Sequence, residues 1–192
     1  QLYQMDFSEM LDNHKKHGAD ISIATIPVGD REAPEFGILK SDGIYITSFI
    51  EKPKKEVLPD WVSDTGDHMK TQGRNYLASM GIYIFNRDLL VELMANPDTK
   101  DFGKEIIPQA IGKHKVLSYQ YEGYWTDIGN IDSFFEANLE LTEDIPKFNL
   151  FDNSKRIYTR ARTLPPTKVS GKTSIEKSIL AEGCIIHSTE IS

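Results

Sequence analysis

Ile21-Ser22-Ile23-Ala24-Thr25-Ile26-Pro27-Val28 is an apolar, β-branched run of strand length, the signature of a buried strand. Upstream, Asp6 stands three residues before Glu9, the pattern of a capped helix start. Phe7, Met10, Leu11 and His14 then recur at helical spacing, and Gly18 marks the stop. Downstream, Phe36 to Lys40 and Ile44 to Ile50 flank Ser41-Asp42-Gly43, whose Asp-Gly pair signals a hairpin. Residues 53–74 hold three Lys and two Pro and are expected to form a long, mobile loop. Leu77 to Phe85 returns to strand, and Asn86 is expected to cap a helix carrying Leu89, Leu90, Leu93 and Met94. A short helix over Lys104 to Ile111 and a strand from Val116 to Tyr121 follow. Asn130 caps a last helix with Ile131, Phe134, Phe135, Asn138 and Leu141 on one stripe. Strands alternating with helices give an α/β layer, and the hairpin adds antiparallel pairing, so the sheet is mixed.

From Lys147 the character changes. Leu164-Pro165-Pro166 cannot continue a helix and reads as an extended linker. Beyond it, Ile175, Ile179, Ile185 and Ile191 stand at spacings near six, which fits the first coils of a hexapeptide-repeat β-helix or an ordinary pair of strands. The expected organisation is a catalytic-type domain over 1–146, a linker over 147–170 and the start of a β-helix over 171–192. The chain opens Gln1-Leu2-Tyr3-Gln4-Met5 and closes Glu190-Ile191-Ser192, and we expect a piece of a longer protein.

Composition narrows the function classes. The 192 residues carry 22 Lys and Arg against 29 Asp and Glu, a formal charge of −7, which disfavours binding duplex nucleic acid through phosphate neutralisation. Cys184 is alone, which excludes an internal disulfide or a Cys-only zinc site. The five His residues show no ligand spacing, so no zinc is assigned. No apolar run approaches the roughly 20 residues of a membrane span. These features lead us to expect a soluble, cytoplasmic protein.

Four places could carry chemistry. Glu51-Lys52-Pro53 ends a strand, and Pro53 is expected to hold Lys52 extended. Lys52 could there hold a phosphate and Glu51 could accept from sugar hydroxyls, or the two form a solvated ion pair. Asp127, in Tyr124-Trp125-Thr126-Asp127-Ile128-Gly129, is either a Mg²⁺ ligand at a strand end or a cap for the helix starting near Asn130. Gly81, in Ser79-Met80-Gly81, interrupts a strand, which marks a ligand or a tight packing contact, and Phe36-Gly37 supports the same pair of readings. Asp101-Phe102-Gly103-Lys104 reads as a loop and helix cap. Neither glycine-rich phosphate-loop pattern occurs.

Together these segments resemble the bacterial ADP-glucose pyrophosphorylase (glucose-1-phosphate adenylyltransferase) family. The matching stretches include Phe49-Ile50-Glu51-Lys52-Pro53, Ala78-Ser79-Met80-Gly81, Asp101-Phe102-Gly103-Lys104, Tyr124-Trp125-Thr126-Asp127-Ile128-Gly129, Phe134-Phe135-Glu136-Ala137-Asn138-Leu139 and Leu164-Pro165-Pro166, in the family's order. The resemblance implies a Rossmann-like, mixed-sheet sugar nucleotidyltransferase domain, present in part, followed by the start of a left-handed β-helix. It implies that Lys52 binds the phosphate of glucose 1-phosphate, that Glu51, Ser79 and Gly37 line the sugar pocket, and that Asp127 holds catalytic Mg²⁺. It further implies ATP as co-substrate, ADP-glucose and pyrophosphate as products, a role in glycogen synthesis and a homotetramer. The family's N-terminal nucleotide-binding part has no counterpart in these residues, so the 192 residues alone are expected to be inactive. The rival readings are a uridylyl- or thymidylyltransferase and a non-catalytic regulatory subunit of the same fold.

Overall fold

The computed structural model describes residues 1–95, 101–160, 162–187 and 190–191. In chain order the elements begin with β1 (Leu2–Tyr3), α1 (Phe7–Lys16), β2 (Ile21–Val28), β3 (Gly37–Asp42) and β4 (Tyr45–Glu51). Next come α2 (Asp67–Thr71), β5 (Tyr76–Phe85), α3 (Arg87–Leu93), a π turn (Phe102–Ile106), α4 (Ile107–Ala110) and β6 (Val116–Gln120). The last are β7 (Trp125–Thr126), α5 (Ile131–Leu141), β8 (Lys168–Ser170), β9 (Ser174–Ile175), β10 (Ile185–His187) and β11 (Glu190–Ile191). The chain divides into two compact units, one of Met5–Glu122 and one of Gln1–Gln4 with Gly123–Ser192.

The Met5–Glu122 unit is built on β2. All eight of its residues are buried. It pairs antiparallel with β5 on one edge and parallel with β6 on the other. β3 continues from β5 through Ile38↔Ala78 and Leu39↔Leu77, the β3–β4 hairpin follows, and β4 reaches β6 at Tyr45↔Leu117. The ladder thus closes on itself in the order β2-β5-β3-β4-β6. The sheet is mixed, and β2–β6 is the parallel pairing within it. Ile21, Ile23, Leu39, Ile46, Leu77 and Val116 form its core with Leu89 of α3 and Ile107 of α4.

Several sequence expectations change on folding. The hairpin loop is Gly43-Ile44, one residue later than the Asp-Gly signal, because Asp42 still pairs with Tyr45 and Gly43 takes the φ of +56°. The 53–74 segment is not an unstructured mobile loop. It forms a 3₁₀ turn over Lys55–Trp61 and then α2, with Leu58, Ser63 and Thr65 buried. Its polar groups are tied down: Ser63 Oγ donates to Leu39 O at 3.0 Å and Thr65 Oγ1 to Arg74 O at 2.7 Å. The helix expected over Lys104 to Ile111 is a π turn followed by a four-residue helix.

Asn86 occupies the N-cap of α3 but makes no cap hydrogen bond there. Its Nδ2 instead donates to Ala19 O at 3.2 Å, and its Oδ1 faces Nε2 of the buried His14 at 3.3 Å. Ser22 Oγ stands 2.8 Å from the other His14 nitrogen. The imidazole is therefore satisfied at both ends when Nε2 carries the proton and Nδ1 accepts from the serine.

In the other unit, β1 pairs antiparallel with β7 through Leu2↔Thr126 and Tyr3↔Trp125. α5 opens on a capping box: Ser133 N–H donates to Asn130 Oδ1 at 2.8 Å and Asn130 N–H to Ser133 Oγ at 3.4 Å. Its apolar stripe is solvent-facing, with Ile131 84% and Phe135 60% exposed. Tyr124 OH donates to Glu140 Oε2 at 2.7 Å, and Lys147 Nζ lies 3.0 Å from Oε1. Burial, that hydrogen bond and the carboxylate's charge push the Tyr124 hydroxyl well above its usual range. Further on, β8 pairs parallel with β10 and β9 parallel with β11, with Ile175 opposite Ile191. Among the described residues no helix is long and apolar enough to cross a membrane.

Replacing Asn86 with Ala removes a partner from a buried imidazole and from Ala19 O. We expect Asn86→Ala to cost about 1–3 kcal/mol in urea unfolding, against less than about 0.5 kcal/mol for Arg87→Ala on the exposed start of the same helix.

Candidate functional site

The site grows from the end of β4 and an irregularity in β5. Along β2, Ile23 and Thr25 are separated by one residue, but their partners on β5, Tyr83 and Ser79, are separated by three. The extra residues form a bulge around Gly81, whose φ is +70° and whose N–H donates to Ser79 Oγ at 3.3 Å. A bulge re-aims side chains that a regular strand holds apart. Ser79 and Tyr83 would lie roughly 13 Å apart along an ideal strand; here Ser79 Oγ and Tyr83 OH are 3.4 Å apart. The glycine serves a backbone turn that brings Ser79 and Tyr83 together.

The Glu51 charge reaches Tyr83 from the end of β4. A Cβ placed on Gly37 would stand 2.5 Å from Phe49 Cζ and 2.9 Å from Glu51 Oε2, so only glycine leaves the phenyl ring and the carboxylate where they are. Gly103 backs them from the π turn, where a Cβ would meet Glu51 Oε2 at 3.2 Å and Asp101 Oδ1 at 3.5 Å. Asp101 also caps that turn, accepting from Lys104 N–H at 2.9 Å, so the expected cap is present. Phe102 stacks on Tyr83 with ring centres 5.7 Å apart and planes 15° apart. Burial raises the Tyr83 hydroxyl above its ordinary range, opposed by its Ser79 contact and reinforced by the charges of Glu51 and Asp101. Tyr83 therefore stays protonated and can donate.

Lys52 departs from expectation. Its φ is +45°, in the left-handed region, not the extended conformation that Pro53 favours. Tertiary structure overrides the local preference: Lys52 N–H donates to Phe36 O at 3.0 Å, adding one more rung beyond the Gly37↔Glu51 pair, while Pro53 turns inward and is buried. The side chain is exposed, and among the described residues Lys52 forms no ion pair. A left-handed non-glycine residue costs roughly 1–2 kcal/mol.

Asp127 belongs to the other compact unit. It follows β7, is exposed, and lies against Gly129, where a Cβ would stand 3.2 Å from Asp127 Oδ2. It does not cap α5, because Asn130 does that. As an oxygen donor Asp127 suits Mg²⁺ as one ligand among several, the others coming from substrate phosphates and water. Among the described residues no group of three or more His, Cys, Asp or Glu is arranged to hold a metal by itself.

Within the Met5–Glu122 unit, Gly37 packs against Glu51, Ser79 Oγ meets Tyr83 OH, and the charges of Glu51 and Asp101 reach that phenol, with Lys52 following Glu51 at the strand end. Carboxylates, a serine and a protonated phenol are groups that can accept from and donate to hydroxyls. Tyr83 is not among the candidate residues read from the sequence, and Phe49 and Gly103 figure there only as parts of longer stretches. The signal for Tyr83 is the glycine between it and Ser79.

The strain at Lys52 makes a prediction. Lys52→Gly is expected to be more stable than Lys52→Ala by about 1 kcal/mol in thermal or urea unfolding, since glycine removes the Cβ penalty and Ala keeps it. Equal stabilities would show that the left-handed conformation is unstrained.

The sequence profile described as nucleotidyl transferase matches residues 1–144, most of the chain. On that match the chain belongs to the nucleotidyl transferase family.

Proposed function

We propose that the protein is the sugar-phosphate-binding part of a glucose-1-phosphate adenylyltransferase, joining glucose 1-phosphate and ATP into ADP-glucose and pyrophosphate for glycogen synthesis. The observation that carries this reading is the meeting of Ser79 Oγ and Tyr83 OH at the β5 bulge, within reach of the Glu51 charge, with Lys52 next in the chain and forming no ion pair among the described residues. A sugar phosphate needs those two recognition elements side by side. The adenylyl and glucose specificities rest on the Ala78-Ser79-Met80-Gly81, Phe134-Phe135-Glu136-Ala137-Asn138-Leu139 and Leu164-Pro165-Pro166 segments. The parallel pairs β8–β10 and β9–β11 support a β-helix beginning in residues 171–192, and a homotetramer would follow from the same kinship.

In the reaction, a phosphate oxygen of glucose 1-phosphate attacks the α-phosphorus of ATP. The new P–O bond forms as the bond to the β-phosphate oxygen breaks, and pyrophosphate leaves with that electron pair. Nothing is oxidised or reduced, and catalysis is positioning with charge neutralisation. Lys52 aligns the attacking phosphate and offsets its repulsion from the triphosphate. Glu51, Ser79 and Tyr83 fix the hexose through its hydroxyls. Asp127 would be one ligand of Mg²⁺, which when bound supplies charge stabilisation to the phosphates.

In the full-length protein, Lys52→Ala should raise the KM for glucose 1-phosphate by ~10- to 100-fold and leave that for ATP nearly unchanged. Equal rises for both substrates would remove Lys52 from the sugar-phosphate site. Assay with ATP, UTP and dTTP in parallel separates the adenylyl reading from its uridylyl and thymidylyl rivals, and no turnover with any of them would favour a regulatory subunit.

Asp127→Asn should lower kcat at limiting Mg²⁺ by at least roughly tenfold while leaving the melting temperature intact, because Asn130 rather than Asp127 holds the start of α5. Wild-type turnover in that variant would take the metal role away from Asp127.

A further inference from the structure

At the opposite end of β4 from Glu51 lies an open cleft of about 760 Å³, formed where β2, β4 and β6 begin. Six residue steps of extended strand, roughly 20 Å, run from its Tyr45 wall to Glu51, so the cleft is distinct from the Glu51 and Ser79 site. Its rim is the run Lys113-His114-Lys115, delivered by a turn through Gly112 at φ +82°.

The backbone of that rim is already committed. Lys113 and His114 N–H both donate to Ala110 O, at 3.1 and 3.0 Å, and Lys115 N–H donates to Asp20 Oδ2 at 2.9 Å. A ligand in the cleft therefore meets side chains. Asp20 is the carboxylate that lines it, and it is also engaged. Besides Lys115 N–H it accepts from Asn86 Nδ2 at 3.4 Å and stands 3.9 Å from His114 Nδ1. Among the described residues neither Lys113 nor Lys115 forms an ion pair. The cleft thus carries two ammonium groups against one carboxylate, and that carboxylate is held by Lys115 N–H and Asn86. Tyr45, 39% exposed, also lines it, and Ile46 and Val116 add apolar surface.

We propose that this cleft binds a phosphomonoester, its dianionic head on Lys113 and Lys115 and its organic body against Tyr45. A phosphomonoester carries about −1.5 to −2 near neutral pH, so the two ammoniums, which outnumber the Asp20 carboxylate, favour it over a monoanionic ligand. The apolar floor and the aromatic wall ask for a ligand with a carbon body, not for bare phosphate.

The test is a titration of the ¹⁵N-labelled protein with phenyl phosphate, inorganic phosphate and phenyl sulfate. Phenyl phosphate should bind most tightly, with amide shifts gathered at residues 45–47 and 112–116. Lys113→Ala/Lys115→Ala should weaken phenyl phosphate at least ~10-fold. Lys15→Ala/Lys16→Ala removes the same charge from α1 and should change the affinity by no more than about twofold. Dispersed amide spectra of both variants establish that each is folded. Equal losses in the two variants would mean a general field and overturn the site. So would absent binding, equal affinity for the sulfate monoanion and the phosphate dianion, or shifts gathered instead at Glu51 and Ser79. The sugar-phosphate reading rests on other residues, so failure at this cleft leaves it standing, and shifts at Glu51 and Ser79 would favour it while overturning the second site.

Discussion

Strand β2 commits both backbone edges and both faces to neighbours, and the rest of its unit depends on that commitment. Its eight buried residues pair with β5 on one side and β6 on the other. In a medium without water every peptide group needs a partner, so a strand in this position must be flanked on both edges. The flanking strands then have no freedom in register, since a one-residue slip would turn a core face outward. β3 and β4 extend from β5 to complete the ladder at Tyr45↔Leu117.

That constraint explains why the pocket is built from a defect. β5 is ten residues long and must follow β2 at both ends, yet it carries more residues between the matched pairs than β2 does. The excess is absorbed at Gly81, and the cost of a left-handed residue is least for glycine. The bulge turns Ser79 and Tyr83 to one point, where Glu51 arrives from the end of β4. Gly37 leaves room for the Glu51 carboxylate and the Phe49 ring. Lys52 then leaves the sheet with its backbone in an unfavourable conformation and, among the described residues, no ion pair to its ammonium. Strain of this kind persists where the surroundings over-determine the backbone, and such places are often functional.

The Gln1–Gln4 and Gly123–Ser192 unit is held differently. Its best-defined contacts are polar and local: the Asn130–Ser133 capping box and the Tyr124–Glu140–Lys147 chain. The hydrogen bond from Tyr124 and the nearby Lys147 hold the Glu140 carboxyl below its ordinary range although burial works the other way. The apolar stripe on α5, legible from Ile131, Phe134 and Phe135, faces solvent, so helical periodicity told correctly which residues share a face and not whether that face is covered.

The sequence alone determined the features governed by short-range physics. Apolar runs located β2, β5 and β6, a side-chain oxygen before a periodic stretch located α1 and α5, and Glu51, Lys52, Ser79 and Gly37 stood out by residue type at strand ends and interruptions. What it left open was set by partners distant along the chain. Asn86 looks like a cap, but a buried imidazole and Ala19 O claim its side chain. Residues 53–74 look like a loose loop, but buried Leu58, the bond from Ser63 to Leu39 O and the bond from Gln120 Nε2 to Thr65 O anchor them to the sheet. Pro53 argues for an extended Lys52, but a hydrogen bond to Phe36 O and the burial of Pro53 itself decide otherwise. Tyr83 joined the pocket only because β5 had to keep register with β2, a requirement no local window contains. Local propensities are worth a few tenths of a kcal/mol to about one per residue, whereas leaving a buried polar group unpaired costs about 1–3 kcal/mol. Where the two disagreed, the distant partner prevailed.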